Sequence, residues 1–440
     1  MLPSALLRMK TIRGKKEKKV KSAMMMQKFL PLYIHRKSCT PSFLLCTIHL
    51  STMNRDVIDT LLTDTHTNHH VTDHHGFHTH TAHHLGTLYF LGVSNDKIKE
   101  LYKHMHDEDN DYKPSPHEIT RSNWRQLLGD HRFCKAYQDF FDQELMASGN
   151  DWQKKFLEFL LDNQPQPIIN SVVSGLGHPL IHIGYAFELN SPIVASEALT
   201  LSAVSYNFFH KVVDNLKPPK FGSKSALLIM QDLRSDDRLP LFDAPGLGNL
   251  EPSVKMSTDI VLSHYNEWLV NVNNLDGIIE ELFDLTVYLY GATHKLDQIE
   301  FDFFLLHLFT SMNAIRVIHP YLHNQQVSEH LLWQIFYFIS VIYIAQLRPE
   351  INTTLIHDYK LDDSKQNWDY VIDRTVNTNL VEHVHLVKVV RALRDAEAIY
   401  GSKDGLYLKT AVKTIDNINI DNMWIGGPTN PRQLNILKRT

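Results

Sequence analysis

Residues 177–204 read GHPLIHIGYAFELNSPIVASEALTLSAV, and their spacing predicts two helices joined by a short break. Pro179 stands where a helix opens, a position at which its missing N–H costs nothing. Ser191 can cap free N–H groups, and Pro192 follows at the first helical position of the second helix. Glu188 closes the first helix and Glu197 lies inside the apolar run of the second. His178 and His182 stand four apart, so both imidazoles project from one face of their helix.

The same signals recur outward along the chain. Asn95 precedes DKIKELYKHM as a cap, and Asp302 lies within EFDFFLLHLFTSMNAIRVI, each with apolar residues at helical spacing. Strand signals are thin: Asp276-Gly277 and Asp404-Gly405 are not flanked by alternating apolar runs. The expectation is an all-α protein, a single large multi-helix, bundle-like domain over residues 55–425. Breaks at residues 113–116, 163–167 and 217–253, rich in proline and glycine, read as connections within that body. No repeat at a fixed period is visible, which argues against a solenoid. Residues 331–347 (LLWQIFYFISVIYIAQL) are almost wholly apolar but too short for a span and interrupted by Gln334 and Gln346. They read as a buried core helix, not a membrane span.

Two flanks are set apart from the domain. Residues 1–54 carry one acidic residue, Glu17, against a run of lysines and arginines, and read as a disordered or targeting extension. Met53 is an alternative start. The location expected is cytoplasmic, with mitochondrial as the alternative from the basic N-terminus. Residues 426–440 form a C-terminal tail.

Across 440 residues, Lys plus Arg is 44 and Asp plus Glu is 49, a net charge of -5. Such a chain has no positive field to gather nucleic acid or an anionic membrane. Cys39, Cys46 and Cys134 make no CxxC pair, so neither a disulfide scaffold nor a thiolate zinc site is indicated. The motifs of several enzyme classes are missing. Gly246-Leu247-Gly248 and Gly175-Leu176-Gly177 lack the third glycine and the strand context of a flavin or nicotinamide turn. Phe221-Gly222-Ser223-Lys224-Ser225 lacks the first glycine of a phosphate-binding loop, and HExxH, GxSxG and kinase signatures are absent.

Histidine is the outlier, at 27 residues, nine of them between His66 and His84. His178 with His182, and His80 with His83 or His84, form helical pairs, and His294, His307 and His385 follow. Paired neutral imidazoles suit iron, copper or zinc, and they equally suit proton transfer near neutrality or simple hydrogen bonding in a core. The stretch from His66 to His75 reads as a solvated approach to the first helix. Glu188 reads as a solvated helix end or a site carboxylate, and Glu197 as a buried partner of an Arg or His. Lys388 and Arg391 follow His385 at helical spacing, a line of donors able to hold an anionic oxygen or to form a salt-bridged face.

Several stretches together resemble one family. GLGHPLIHIGYAFELNSPIVASEALTL (residues 175–201), GFHTHTAHHLGTLYFLG (76–92), Asn123-Trp124 with Leu128-Gly129-Asp130, THKLDQIEFDFFLLHLFTS (293–311) and HVHLVKVVRAL (383–393) are similar, in order, to questin oxidase-like proteins. That group includes fungal enzymes that cleave anthraquinone-type rings by Baeyer–Villiger-like oxidation. The resemblance implies a helical fold and an oxidoreductase acting on a ketone or quinone, with NADPH and dioxygen as co-reactants. A metal ion is a further possible cofactor. The substrate is expected to be a small hydrophobic carbonyl or quinone compound. His80, His84, His178, His182 and His307 are the candidates for oxyanion donor and proton shuttle. Tyr185 and Trp333 are candidates for the cavity wall, and Lys388 and Arg391 for contacts to substrate oxygen. The alternatives are a non-catalytic helical ligand-binding protein and a metal-dependent hydrolase using the histidine pairs.

Overall fold

Ser191 accepts a hydrogen bond from the Val194 N–H, and Pro192 is the first residue of the helix it caps, as the spacing predicts. The computed structural model describes residues 55–72, 78–105, 114–162, 164–220 and 222–427. The readings made for residues 1–54, for the tail beyond Gly427 and for His74, His75, Gly76 and Phe77 lie outside them.

Among the described residues seventeen α-helices follow in chain order. They are α1 (Arg55–Asn68), α2 (Thr81–Phe90), α3 (Asn95–Tyr102), α4 (Cys134–Ala147), α5 (Trp152–Leu160) and α6 (His178–Glu188). Next come α7 (Pro192–Val204), α8 (His210–Val213), α9 (Ala226–Ser235), α10 (Leu250–Tyr265), α11 (Leu275–Gly291) and α12 (Phe303–Ile318). The last are α13 (Gln325–Ala345), α14 (Thr354–His357), α15 (Trp368–Val376), α16 (Val384–Tyr400) and α17 (Leu406–Asn417). Among the described residues the only extended pairings are isolated bridges, so the fold is all-α.

Two local expectations change. The cap of α3 is Ser94, whose side chain accepts from the Lys97 N–H, while Asn95 is already helical. Ser and Asn are comparable caps, and the sequence offered both in adjacent positions. Residues 217–253 also hold α9, capped by Ser225, because Ala226, Ile229, Met230 and Leu233 give it a buried stripe at helical spacing.

Helix α13 is the core helix that its composition suggests, with its residues from Leu331 to Ala345 buried. It is long and apolar enough to cross a membrane by length and composition, yet 83% of its apolar window is covered by the rest of the protein. Helix α6 packs on α2, α7 and α12; α12 also packs on α16, and α16 on α2. Gly184 sets the α6–α12 approach: a Cβ there would lie 2.8 Å from the Ala314 Cβ. Four chain segments distant in sequence therefore meet at one place, near the starts of α2, α6 and α16 and inside α12.

Candidate functional site: a four-histidine centre

The turn that opens α6 runs through Gly175, Leu176 and Gly177, all with positive φ. At Gly175 a side chain would collide with the His78 ring and at Gly177 with the Ser311 hydroxyl, so glycine is required for space as well as for conformation. This turn delivers His178, the first residue of α6, into the protein interior. His80 stands immediately before α2, His307 lies within α12, and His385 is in the first turn of α16.

These four rings converge. One nitrogen from each of His80, His178, His307 and His385 lies within 4.8 Å of the others. His80 Nε2 and His178 Nε2 are 2.8 Å apart, and the His80–His385, His178–His307 and His307–His385 ring centroids lie 4.6, 4.8 and 5.0 Å apart. Two of the tautomers are set from behind. His178 Nδ1–H donates to the Gly175 carbonyl at 2.5 Å, and His307 Nδ1–H donates to the Phe303 carbonyl at 2.6 Å. A carbonyl only accepts, so in each neutral ring the lone pair is left on Nε2. His307 Nε2 and His385 Nε2 are buried and have no hydrogen-bond partner. Burial pushes all four rings well below the usual histidine range, His307 to about 3, which keeps them neutral at physiological pH.

Converging neutral imidazoles, two of them oriented by a carbonyl on the far side, are donors of the kind that suit a transition metal. Unmatched, buried nitrogens of this kind cost free energy, which a cation would recover. Lys388, one turn after His385 on α16, adds a buried Nζ without a partner, and burial lowers its pKa to about 7. Phe303 covers the His307 and His385 rings, with centroids 4.7 Å away in both cases. Lys388 also lines a narrow crevice of about 10 Å³, with Ile181, Tyr185, Thr310 and Arg391 among its other walls. It has room for about one water molecule.

The other candidates take separate positions. His182 belongs to an adjoining polar chain, donating from Nε2 to Glu197 at 2.8 Å with its Nδ1 2.9 Å from His83 Nε2. His84, although one turn from His80, donates to the Val381 carbonyl at 2.8 Å, and its backbone continues α2 while His80 precedes it. Tyr185 stacks on His83 with centroids 5.1 Å apart and hydrogen-bonds Thr87 through its hydroxyl. Trp333 packs edge-on against Trp268 at 5.7 Å, with Tyr265 at 6.5 Å, as part of the aromatic core. Arg391 donates to Glu188 at 2.6 Å and lies over the Phe90 ring at 4.2 Å. Glu188 is thus ion-paired with Arg391 and Arg316, not a solvated helix end.

The solvated reading of the first histidines fails at His66. It is in α1, 11% exposed at the side chain, with its two ring nitrogens on Asp142 and Glu197. Its place in an i, i+4 series with Leu62 and Ile58 on the buried face of α1 was the available signal, hidden by the density of histidines after it. In the sequence His83 enters only as one of two helical partners for His80, and His385 only as the start of the line that continues to Lys388 and Arg391; neither is a candidate site residue there.

Comparison with known proteins identifies the family. Residues 77–393 match the family model described as questin oxidase-like. The chain is 24% identical over 377 residues to the oxidoreductase AflY of Aspergillus parasiticus, covering 79% of this chain and 74% of that protein. It is 21% identical to the Baeyer-Villiger oxidase ptaJ of Pestalotiopsis fici, covering 80% and 86% of the two chains. To a questin oxidase of Aspergillus fumigatus it is 22% identical, covering 70% and 75%. The matched span contains His78 through Leu393, and so every one of the four converging histidines and Lys388: the chain belongs to the questin oxidase-like family of oxidoreductases.

Proposed function

We propose that this protein oxidises a hydrophobic carbonyl or quinone compound in the Baeyer–Villiger manner, at a metal ion held by His80, His178, His307 and His385. The observation that carries the reading is the set of four buried imidazoles whose ligating nitrogens lie within 4.8 Å of one another. The names of the relatives support the reaction class. A redox-active metal bound there supplies activation of dioxygen. NADPH enters the proposal as a soluble reductant: one oxygen atom goes into the substrate, the other leaves as water, and NADPH with a proton supplies the two electrons and two hydrogens.

The protein's own groups have definable tasks. Phe303 and Tyr185 give apolar, aromatic contact surface beside the histidines, suited to a flat hydrophobic substrate. Lys388, titrating near 7 through burial, can stand as ammonium beside a developing oxyanion or give up its proton at Nζ. The carbonyls of Gly175 and Phe303 hold two of the imidazoles in the ligating tautomer.

Elemental analysis and the absorption spectrum of purified protein, followed by NADPH and dioxygen consumption with hydroxyanthraquinones, test the reading. Bound iron or copper at about one ion per chain, with substrate-dependent consumption of both, is the expected result. Bound zinc with no consumption of either would move the assignment to a hydrolase. No bound metal and no turnover would leave a ligand-binding protein.

A further inference from the structure

Beside the four-histidine centre runs a buried chain of polar groups that ligand binding by those four rings does not use. Asp142 Oδ2 accepts from His66 Nε2–H at 3.0 Å, and Glu197 Oε1 accepts from His66 Nδ1–H at 2.8 Å. His66 thus donates from both nitrogens and is the cation that neutralises Glu197. The second oxygen of Glu197 accepts from His182 Nε2–H at 2.8 Å, so a neutral His182 has its lone pair on Nδ1. His83 Nε2, 2.9 Å from that Nδ1, must then be the donor. The polarity of the whole chain ends at His83 Nδ1, a lone pair that is buried and has no partner.

His83 is fully buried, and its ring lies nearly parallel to two others. The His178 ring is 6.2 Å away at 10°, and the Tyr185 ring 5.1 Å away at 20°. The ring is therefore fixed in place as well as in tautomer, next to the proposed metal centre and the aromatic surface. We infer that His83 is a substrate-binding residue, a hydrogen-bond acceptor for a hydroxyl group on the substrate, held in that polarity by Glu197 through His182. The kind of ligand rests on the oxidase reading; the polarity of His83 does not. Glu197 is a positioning residue in this arrangement, since it touches neither the substrate nor the metal ligands.

Nitrogen-15 spectra of histidine-labelled protein, with the His83 ring assigned by its loss in His83→Asn, read the tautomer directly. One proton on Nε2 and none on Nδ1 is expected, and a proton on Nδ1 overturns the inference. Glu197→Gln, whose amide can turn either face to His182, should give His83 as a mixture of tautomers; a single unchanged form would remove Glu197 from its role.

Binding of 2-hydroxyanthraquinone, whose hydroxyl is free of the ring carbonyls, and of 2-methoxyanthraquinone tests the ligand. The wild type should prefer the hydroxyl compound by roughly two- to tenfold, the worth of one neutral hydrogen bond. His83→Asn, which keeps a polar group at the Nδ1 position, should retain most of that preference, and His83→Gln, which does not, should lose it. A preference absent in the wild type or unchanged in His83→Gln overturns the acceptor role. Loss of metal binding or turnover with the hydroxyl preference intact would instead count against the oxidase reading alone.

Discussion

The Nε2 atoms of His80 and His178 lie 2.8 Å apart although 98 residues separate them. With His178 Nδ1–H committed to the Gly175 carbonyl, His178 Nε2 can only accept, and His80 must supply the proton or give way to a cation. A metal ion between the rings would replace that contact, because the same lone pairs are its ligands.

Replacing His307 by Ala is therefore expected to lower metal affinity by more than roughly a hundredfold, the upper range seen even for residues that only support a ligand. Bound metal measured on purified protein, with circular dichroism to show retained helix, checks this. His84→Gln is the matched control: its ring bonds the Val381 carbonyl, so it should keep the metal and lose about 0.5–1.5 kcal/mol of stability. Equal metal loss in both variants would remove the four-ring assignment.

Gly184→Ala should loosen the site without touching a ligand. The added Cβ would meet the Ala314 Cβ at 2.8 Å and its Cα at 2.9 Å, and so would separate α6 from α12. A cost of about 1–3 kcal/mol is expected from overpacking, with weaker metal binding because His178 and His307 ride on the two helices. Wild-type affinity in a destabilised variant would show that the helix spacing does not control the centre.

Arg391→Lys should behave nearly as badly as Arg391→Ala. The guanidinium pairs with Glu188 at 2.6 Å, contacts Asp395 at 3.2 Å and lies over the Phe90 ring at 4.2 Å, a combination that an ammonium cannot reproduce. Breaking this buried pair should cost about 3–5 kcal/mol in urea unfolding for the alanine variant, and more than half of that for lysine.

The His66–Glu197 pair gives a pH signature. Burial opposes charge on His66, but hydrogen bonds to Asp142 and Glu197 outweigh it and raise its pKa to about 10. Burial likewise opposes charge on Glu197, while hydrogen bonds from His182 and His66 hold it at about 2. A base raised on folding contributes fully below its unfolded value of 6.5, and the contribution is lost as pH climbs through about 10. An acid depressed on folding contributes fully above its unfolded value of 4.5, and the contribution is lost as pH falls toward 2. The stability gap between wild type and His66→Gln should be widest from 4.5 to 6.5 and narrow above that by up to about 1.4 kcal/mol per pH unit. A gap unchanged up to pH 10 would mean that His66 is not a cation in the folded protein.

Trp333→Phe is expected to change stability and not substrate affinity, because its indole fills the core between Trp268 and Tyr265. A loss of about 1–3 kcal/mol with unaltered KM is the expected pattern. A raised KM at wild-type stability would put the indole in contact with substrate.

What the sequence determined by itself was local. Pro179, Ser191 with Pro192, and the apolar spacing around them specify helix starts through the backbone, and those were legible because propensity and capping act within a few residues. Length did not tell helix α13 from a membrane span, since its 21 residues are long and apolar enough to cross one; its burial among the other helices did. The order of the family's stretches carried the oxidoreductase assignment. What the tertiary structure alone decided was which histidines meet. His178 and His182 share a helix face, yet one faces His80, His307 and His385 while the other turns to Glu197 and His83. His80 and His84 are separated because His80 precedes its helix and His84 lies within it. Ring orientation depends on partners supplied by other helices, such as the Gly175 turn, the Phe303 carbonyl and the Glu197 carboxylate, and no spacing along the chain encodes contacts made across it.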